Sequence, residues 1–101
     1  MKQPEGLISV LLDVNADEAD RDDAAIDLSG FNEPEAERAL FLAASSPETS
    51  EMVCGSCGES LAEIWLRQGE INFEYYQKLC SPAVREIEAY INAEDPSLLH
   101  S

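Results

Sequence analysis

The chain has 101 residues, 21 of them Asp or Glu and six Lys or Arg, so its formal net charge at pH 7 is −15. This length predicts a single domain, residues 1–101, and no apolar run approaches the roughly 18 residues of a transmembrane helix. The charge opposes direct binding to nucleic-acid phosphates. Hydrophobic residues make up 45% of the chain, which separates it from acidic disordered proteins. We therefore expect a folded, strongly acidic domain.

The apolar residues recur at helical spacing, and short turn signals divide the chain into about six predicted helices. No segment shows the polar–apolar alternation and β-branched enrichment of a strand. The helices are expected at residues 4–12, 16–28, 33–44, 48–68, 73–79 and 83–91. Because short turns join them, the predicted fold class is all-α: stacked antiparallel helical hairpins in one short bundle. The tail, residues 93–101, is expected to be poorly ordered.

Turn residues give each predicted boundary a physical reason. Gly30 is expected to end the second helix in a left-handed conformation, and Gly69 to close the fourth. Asn32 is expected to cap the third helix, with Glu35 completing a capping box. The fourth helix is expected to start at Ser46-Pro47-Glu48, and Asn72 to cap the fifth.

The helical stripes also predict which side chains are buried. The second, third and fourth helices are expected to contribute Ala24, Ala25, Ile26, Leu28, Ala36, Ala39, Leu40, Leu42, Ala43, Met52, Val53, Cys57, Leu61, Ile64 and Trp65. Gly55 and Gly58 weaken the fourth helix, by about 1 kcal/mol each relative to Ala.

Three segments follow the helix A, turn, helix B rhythm of HEAT-type repeats: Arg21-x-x-Ala24-Ala25-x-x-Leu28, Pro34-Glu35-Ala36-x-x-Ala39-Leu40 and Ser60-Leu61-Ala62-Glu63-Ile64-Trp65. The run Cys57-Gly58-Glu59-Ser60-Leu61-Ala62-Glu63-Ile64-Trp65 also resembles a segment of small bacterial immunity proteins. These are encoded beside polymorphic toxins, including those of contact-dependent growth inhibition systems. The resemblance covers residues 16–92, and it implies a HEAT-like helical domain that neutralises a cognate toxin.

Cys54-Gly55-Ser56-Cys57 is a C-x-x-C motif, but it lies in a predicted helix without the strand-to-helix turn of a redox site. A structural zinc site needs four ligands, and Cys80 and His100 lack the paired spacing that would complete one. We expect Cys57 to be a small core side chain and Cys54 to lie near the helix edge. The odd number of cysteines, their spacing and the lack of a signal peptide favour a reducing cytoplasm.

The segment Asp13-Val14-Asn15-Ala16-Asp17 begins like a calcium-binding loop. Glu18 then stands where the loop needs Gly, and Ala24 where it needs a bidentate Glu, which excludes a conventional EF-hand. No catalytic motif is present, and His100 lies one residue from the end. We therefore expect neither catalysis nor a metal or other cofactor.

A dense acidic cluster is the most informative candidate site. Between residues 13 and 27 there are seven acids and one base, Arg21. Like charges four residues apart destabilise a helix, and a cluster that is kept despite this cost indicates a basic partner. The alternative is a solvated face that only keeps the protein soluble. The candidate partner-binding acids in and after it are Asp17, Glu18, Asp20, Asp22, Asp23, Glu33, Glu35, Glu59 and Glu63.

The later acids among these are expected to extend the second-helix cluster into one acidic strip across successive helices. Trp65 is expected in the core. Of the adjacent Tyr75 and Tyr76, at most one can face fully inward, so both are candidate contact residues.

From the residues and the resemblance we expect a cytoplasmic, non-catalytic immunity protein that forms a heterodimer with a basic toxin domain, a nuclease, and occludes its active site. Two alternatives stay open: a helical adaptor or scaffold that owes its solubility to its charge, and an acidic nucleic-acid mimic. The first 63 residues hold 15 of the 21 acids, and this asymmetry favours a localised interface over mimicry along the whole molecule.

Overall fold

The computed structural model describes residues 2–100 and contains only helices and turns over that range. The all-α prediction is confirmed. The six α-helices are α1 (Glu5–Leu12), α2 (Glu18–Asp27), α3 (Pro34–Ala44), α4 (Glu51–Gln68), α5 (Phe73–Tyr76) and α6 (Ser81–Glu94). Short 3-10 turns follow α2 at Leu28–Gly30 and α6 at Pro96–His100.

Two antiparallel hairpins stack on each other. In the first, Arg21 near the start of α2 donates from Nε to the carbonyl of Leu11 at the end of α1, 2.9 Å away. In the second, Cys54 near the start of α4 lies beside the carbonyl of Ala44, the last residue of α3. Helix α2 packs along α4 and runs parallel to it. The hydrogen bonds show this direction: Ser56 of α4 donates to Asp22, and Ser60, one turn later, donates to the carbonyl of Ala25, further along α2. This is the stacked-hairpin arrangement that the sequence predicts.

Helix α4 forms the centre of the core and contacts α2, α3 and α6. Its large buried side chains, Val53, Leu61, Ile64 and Trp65, are each no more than 1% exposed. Small buried residues lie between them: Cys57, Gly58, Ser60 and Ala62. Because small residues cover more than one face, three helices can pack around α4 at close range.

Gly58 sets the approach of α6 to α4. A Cβ built on Gly58 would lie 2.5 Å from the Cα and the carbonyl oxygen of Ala83, a distance that non-bonded atoms do not tolerate. A Cβ on Gly55, one turn earlier, would meet only Glu86 Cγ, at 3.8 Å. Gly58 lowers the helix propensity of α4, but its missing side chain permits the close contact between α4 and α6.

The predicted caps hold in the second half of the chain better than in the first, although α5 ends at Tyr76 instead of residue 79 and α6 is longer at both ends than predicted. Gly69 has a φ of 75° and ends α4 as predicted, and Asn72 accepts a hydrogen bond from the Tyr75 amide as the cap of α5. Gly30 is not left-handed, because α2 ends by tightening into a 3-10 turn. Neither Asn32 nor Ser46 caps a helix: Glu33 precedes α3, and Ser50 caps α4 through the Val53 amide.

Three side chains predicted for the core are exposed: Ile26 by 48%, Leu42 by 40% and Met52 by 48%. Each is the sequence neighbour of a buried residue on the same helix: Ala25, Ala43 and Val53, respectively. One residue corresponds to about 100° of helix rotation, so an apolar neighbour of the stripe turns towards solvent. The other residues predicted for the core are buried.

The structure pairs Cys54 with Cys80, a contact that the cysteine spacing does not indicate. The expectation that Cys54 lies near the helix edge is wrong, since the residue is 1% exposed. The Cys80 amide donates to the Ala44 carbonyl, 2.9 Å away, which holds the start of α6 against the end of α3. Cys57 is free and buried, so the two cysteines of the C-x-x-C motif do not form a redox pair.

At the C-terminal end, Leu98 and Leu99 are partly buried against the core. The expected poor order of residues 93–101 stays a prediction, and Ser101 lies outside the described residues. No helix in residues 2–100 is long and apolar enough to cross a membrane.

Candidate partner-binding surface

The acids of α2 are exposed because its apolar stripe is narrow. Ala24, Ala25 and, just after the helix, Leu28 are the buried residues of this stretch, and they occupy one side of the helix. The remaining positions face outward. Asp17 at the N-cap and the helix residues Glu18, Asp20, Asp23 and Asp27 are all exposed, while Asp22 is partly buried.

One set of α2 acids lines a groove between α1 and α2. Asp20, Asp23 and Asp27 form its acidic wall, and Leu7 and Val10 of α1 form part of its apolar floor. The groove has a volume of about 300 Å³. Spacings of three and four residues place these carboxylates on one side of the helix, so they present a row of negative charge along the groove.

Asp22 points the other way, towards α4. Its Oδ1 accepts a hydrogen bond from Ser56 Oγ at 2.6 Å, and one turn later Ser60 Oγ donates to the Ala25 carbonyl, also at 2.6 Å. These two contacts fix the position of α2 on α4. They also bring the Asp22 carboxylate to Ser56, a residue that lines the next groove.

That groove, between α4 and α6, is also acidic. It has a volume of about 430 Å³. Its charged lining consists of the carboxylates of Glu51, Glu59 and Glu86 and the guanidinium of Arg85, and Met52 and Ser56 also line it. Glu86 comes from the last third of the chain. The fold therefore adds a late acid to a surface that the sequence assigns to the first two thirds.

Tyr90 of α6 extends this acidic region along α4, and sequence analysis missed it. Its hydroxyl donates to Glu63 Oε1 at 3.2 Å. Partial burial and the charge of Glu63, followed by those of Glu94 and Glu59, raise the pKa of the Tyr90 hydroxyl. The position carries no sequence signal, since Tyr90 becomes relevant only when α6 packs on α4.

The hydrogen bonds of Arg21 and Arg67 go to groups other than these carboxylates. Arg21 donates to a backbone carbonyl. Arg67 donates to the Asn32 side chain and to the carbonyls of Ser29 and Phe31. We call the acids of α2 and of the α4–α6 region together the acidic face: Asp17, Glu18, Asp20, Asp22, Asp23, Asp27, Glu51, Glu59, Glu63 and Glu86.

The structure separates the other predicted contact residues from the acidic face. Glu33 and Glu35 line a separate groove of about 630 Å³, and its other lining residues are Lys2, Gln3, Pro4, Glu5, Ile8 and Ser9. This groove shares no lining residue with the α1–α2 or α4–α6 groove. Glu33 and Glu35 therefore lie beside α1, apart from the two grooves of the acidic face, because α3 begins beside α1.

The two tyrosines of α5 are partly buried by internal contacts. Tyr75 stacks on Phe41 with ring centroids 4.0 Å apart. The Tyr76 hydroxyl donates to Glu88 Oε2 at 3.1 Å, and partial burial and Glu88 raise its pKa. Neither ring faces fully inward, and neither lies in the grooves of the acidic face.

Two side chains outside the acidic face, Glu37 and Cys57, have structural surroundings that account for them. Glu37 accepts a hydrogen bond from Trp65 Nε1 at 2.8 Å, so it satisfies the only polar atom of a fully buried indole. Burial raises the pKa of the Cys57 thiol to about 12, which leaves it protonated and unreactive at neutral pH. Within residues 2–100, no three His, Cys, Asp or Glu side chains are grouped to hold a metal ion.

Comparisons with protein-family models, with curated proteins and with solved structures find no match to this chain. The acidic face is therefore interpreted from its own geometry.

Proposed function

We propose that this protein is a cytoplasmic immunity protein that binds a basic toxin domain, a nuclease, through the acidic face and blocks its active site. The observation that carries the proposal is the pair of acidic grooves, one between α1 and α2 and one between α4 and α6, on a molecule in which the Asp22–Ser56 contact fixes α2 against α4. The resemblance of residues 57–65 to immunity proteins supports the same assignment. In this proposal the protein acts without catalysis or a cofactor and is the single inhibitor subunit of a heterodimer.

The charge pattern suits an inhibitor of this kind. A nuclease must present Lys and Arg side chains to hold nucleic-acid phosphates, and these are the groups that a carboxylate surface attracts. A face of one sign also accelerates association, because the long-range field steers the basic partner towards it. Rapid capture matters for an inhibitor that must reach the toxin before its substrate does.

Co-expression is the direct test of this function. Cells that produce the toxin domain encoded beside this protein are expected to grow when the protein is present and to stop growing when it is absent. Purified toxin domain should lose its nuclease activity at a one-to-one ratio. Continued toxicity with the protein present would contradict the proposal and favour the adaptor alternative.

Charge reversal tests the role of the acidic face. Asp20→Lys with Asp23→Lys is expected to slow association with the toxin domain by about ten-fold or more at low salt, because steering depends on these exposed charges. Asp22 is left intact, since it also accepts the Ser56 hydrogen bond. The matched control is Glu70→Lys with Glu74→Lys, two exposed acids at the α5 end. Equal association rates for the two double variants would contradict the role of α2.

A further inference from the structure

Four of the seven large hydrophobic side chains exposed on residues 2–100 lie at one end of α1. They are Val10, Leu12, Val14 and Leu42, exposed by 37%, 39%, 72% and 40%. The first three come from the end of α1 and the loop after it, and Leu42 comes from the adjacent α3. We call these four residues the apolar edge.

Three residues of the apolar edge form a recess. Leu12, Val14 and Leu42 line a cavity of about 270 Å³ over the buried Ala43. Arg21 and Glu48 also reach it, and Arg21 is held in place by its hydrogen bond to the Leu11 carbonyl. The recess is large enough for one or two aliphatic side chains.

The fold does not require these side chains to be apolar. Leu11, next to Leu12, is fully buried and gives this end of α1 its contact with the core. Val14 lies in a turn that Asp13 already stabilises, through its Oδ1 and the Asn15 amide 2.9 Å away. Contiguous exposed apolar surface of this kind marks binding sites in soluble proteins.

The charges around the apolar edge indicate its occupant. Arg21 reaches the recess, and Asp20, the residue before it on α2, lines the adjacent α1–α2 groove with Val10 and Asp23. The recess and the carboxylates of α2 therefore meet at this border. A second copy of this chain would bring its own carboxylates against that border, and like charges repel. Anionic lipid would be repelled for the same reason.

We propose that the apolar edge anchors an apolar side chain of the partner, carried on a segment in which Lys or Arg residues flank it. The apolar side chain fills the recess, and the flanking cations pair with the α2 carboxylates. The proposal rests on the proposed function for the identity of the partner. It assigns the water-excluding centre of the interface to the edge beside α2 instead of to Tyr75 and Tyr76.

A pair of synthetic peptides tests the anchor without the toxin. One is an amphipathic helix of about 14 residues with Leu on one face and Lys on the other. The second has the same Lys residues with Ala in place of every Leu. The protein variants are Val14→Ser with Leu42→Ser and, as a control with an exposed apolar residue elsewhere, Phe73→Ser.

The wild type and Phe73→Ser are expected to bind the Leu peptide about ten-fold more tightly than the double variant, a ratio that corresponds to losing one partly buried anchor. All three proteins should bind the Ala peptide equally, because its binding depends on charge alone. Equal affinity of the wild type and the double variant for the Leu peptide would overturn the proposal. An equal loss in Phe73→Ser would also overturn it.

Chemical-shift mapping on the wild-type protein keeps the test decisive if a variant fails to fold. The Leu peptide should perturb the amides of Val10, Leu12, Val14 and Leu42 most, and perturbation centred on Tyr75 and Tyr76 would overturn the proposal. A dimeric wild type that the double variant converts to a monomer would identify the recess as a self-association site and overturn it as well. Failure of the peptide tests alongside successful co-expression rescue would leave the immunity function intact.

Discussion

At the scale of single residues, the hydrogen bond from Trp65 to Glu37 joins a core side chain to a partly exposed carboxylate. The indole of Trp65 is fully buried, and its N–H is satisfied by a carboxylate 2.8 Å away on α3. Glu37, one of the 21 acids of the chain, therefore has a structural partner inside the fold.

Glu37→Ala is expected to lower the free energy of unfolding by about 1–3 kcal/mol, because a buried donor loses its partner. Glu37→Gln keeps an acceptor oxygen and should cost less than half as much. Urea unfolding followed by circular dichroism measures both variants. Equal losses in the two would show that charge, and not the hydrogen bond, supports this contact.

Cys57 predicts a dependence of stability on alkaline pH. Its pKa is about 12 in the folded protein, against an ordinary value of 9.0, so above pH 9 the unfolded chain releases a proton that the folded chain retains. The resulting stability is fully present below pH 9 and is lost as pH rises towards 12. Between pH 9 and 10.5 the wild type should lose about 1.6 kcal/mol more than Cys57→Ala. Parallel losses in both proteins, measured by urea unfolding, would contradict this role of the thiol.

At the scale of elements, the crossing of α4 and α6 depends on which glycine lies at the contact. Gly58→Ala is expected to destabilise the protein by about 2 kcal/mol or more, because the new Cβ overlaps the Ala83 backbone and the core cannot absorb it. Gly55→Ala is the matched control: its Cβ makes an ordinary contact, so the variant should gain about 0.5–1 kcal/mol from helix propensity. The two changes in thermal midpoint should have opposite signs, and a stabilised Gly58→Ala would contradict the packing argument.

The helices themselves were predictable from the sequence because the apolar spacing and several caps act locally. Gly69 and Asn72 act within their own turns, and both were predicted correctly. Ile26, Leu42 and Met52 were misassigned because apolar character alone does not distinguish the centre of a buried stripe from its border. The acidic face required tertiary information, because Glu86 joins it, and Tyr90 contacts it, only through the packing of α6 on α4. Glu33 and Glu35 lie apart from it because of the position of α3.

At the scale of the whole molecule, the net charge of −15 opposes the compact state. Repulsion among surface carboxylates falls as salt screens it. Raising the salt concentration from about 0.05 to about 0.5 M should therefore raise the thermal midpoint by about 5 °C. Asp20→Asn with Asp23→Asn should raise the low-salt midpoint, and Lys78→Gln, which removes a base, should lower it. A midpoint that does not respond to salt would mean that the carboxylates are too far apart to repel each other appreciably.

The placement of the single tryptophan also has a practical consequence for spectroscopy. Trp65 lies in the core between α3 and α4, whereas the acidic face and the apolar edge lie on α1, α2 and the outer sides of α4 and α6. Its fluorescence emission should stay blue-shifted and inaccessible to aqueous quenchers whether or not a partner is bound. Any new quencher-sensitive emission in a complex would then come from the partner's own tryptophans. This protein would contribute only a constant emission to such binding measurements.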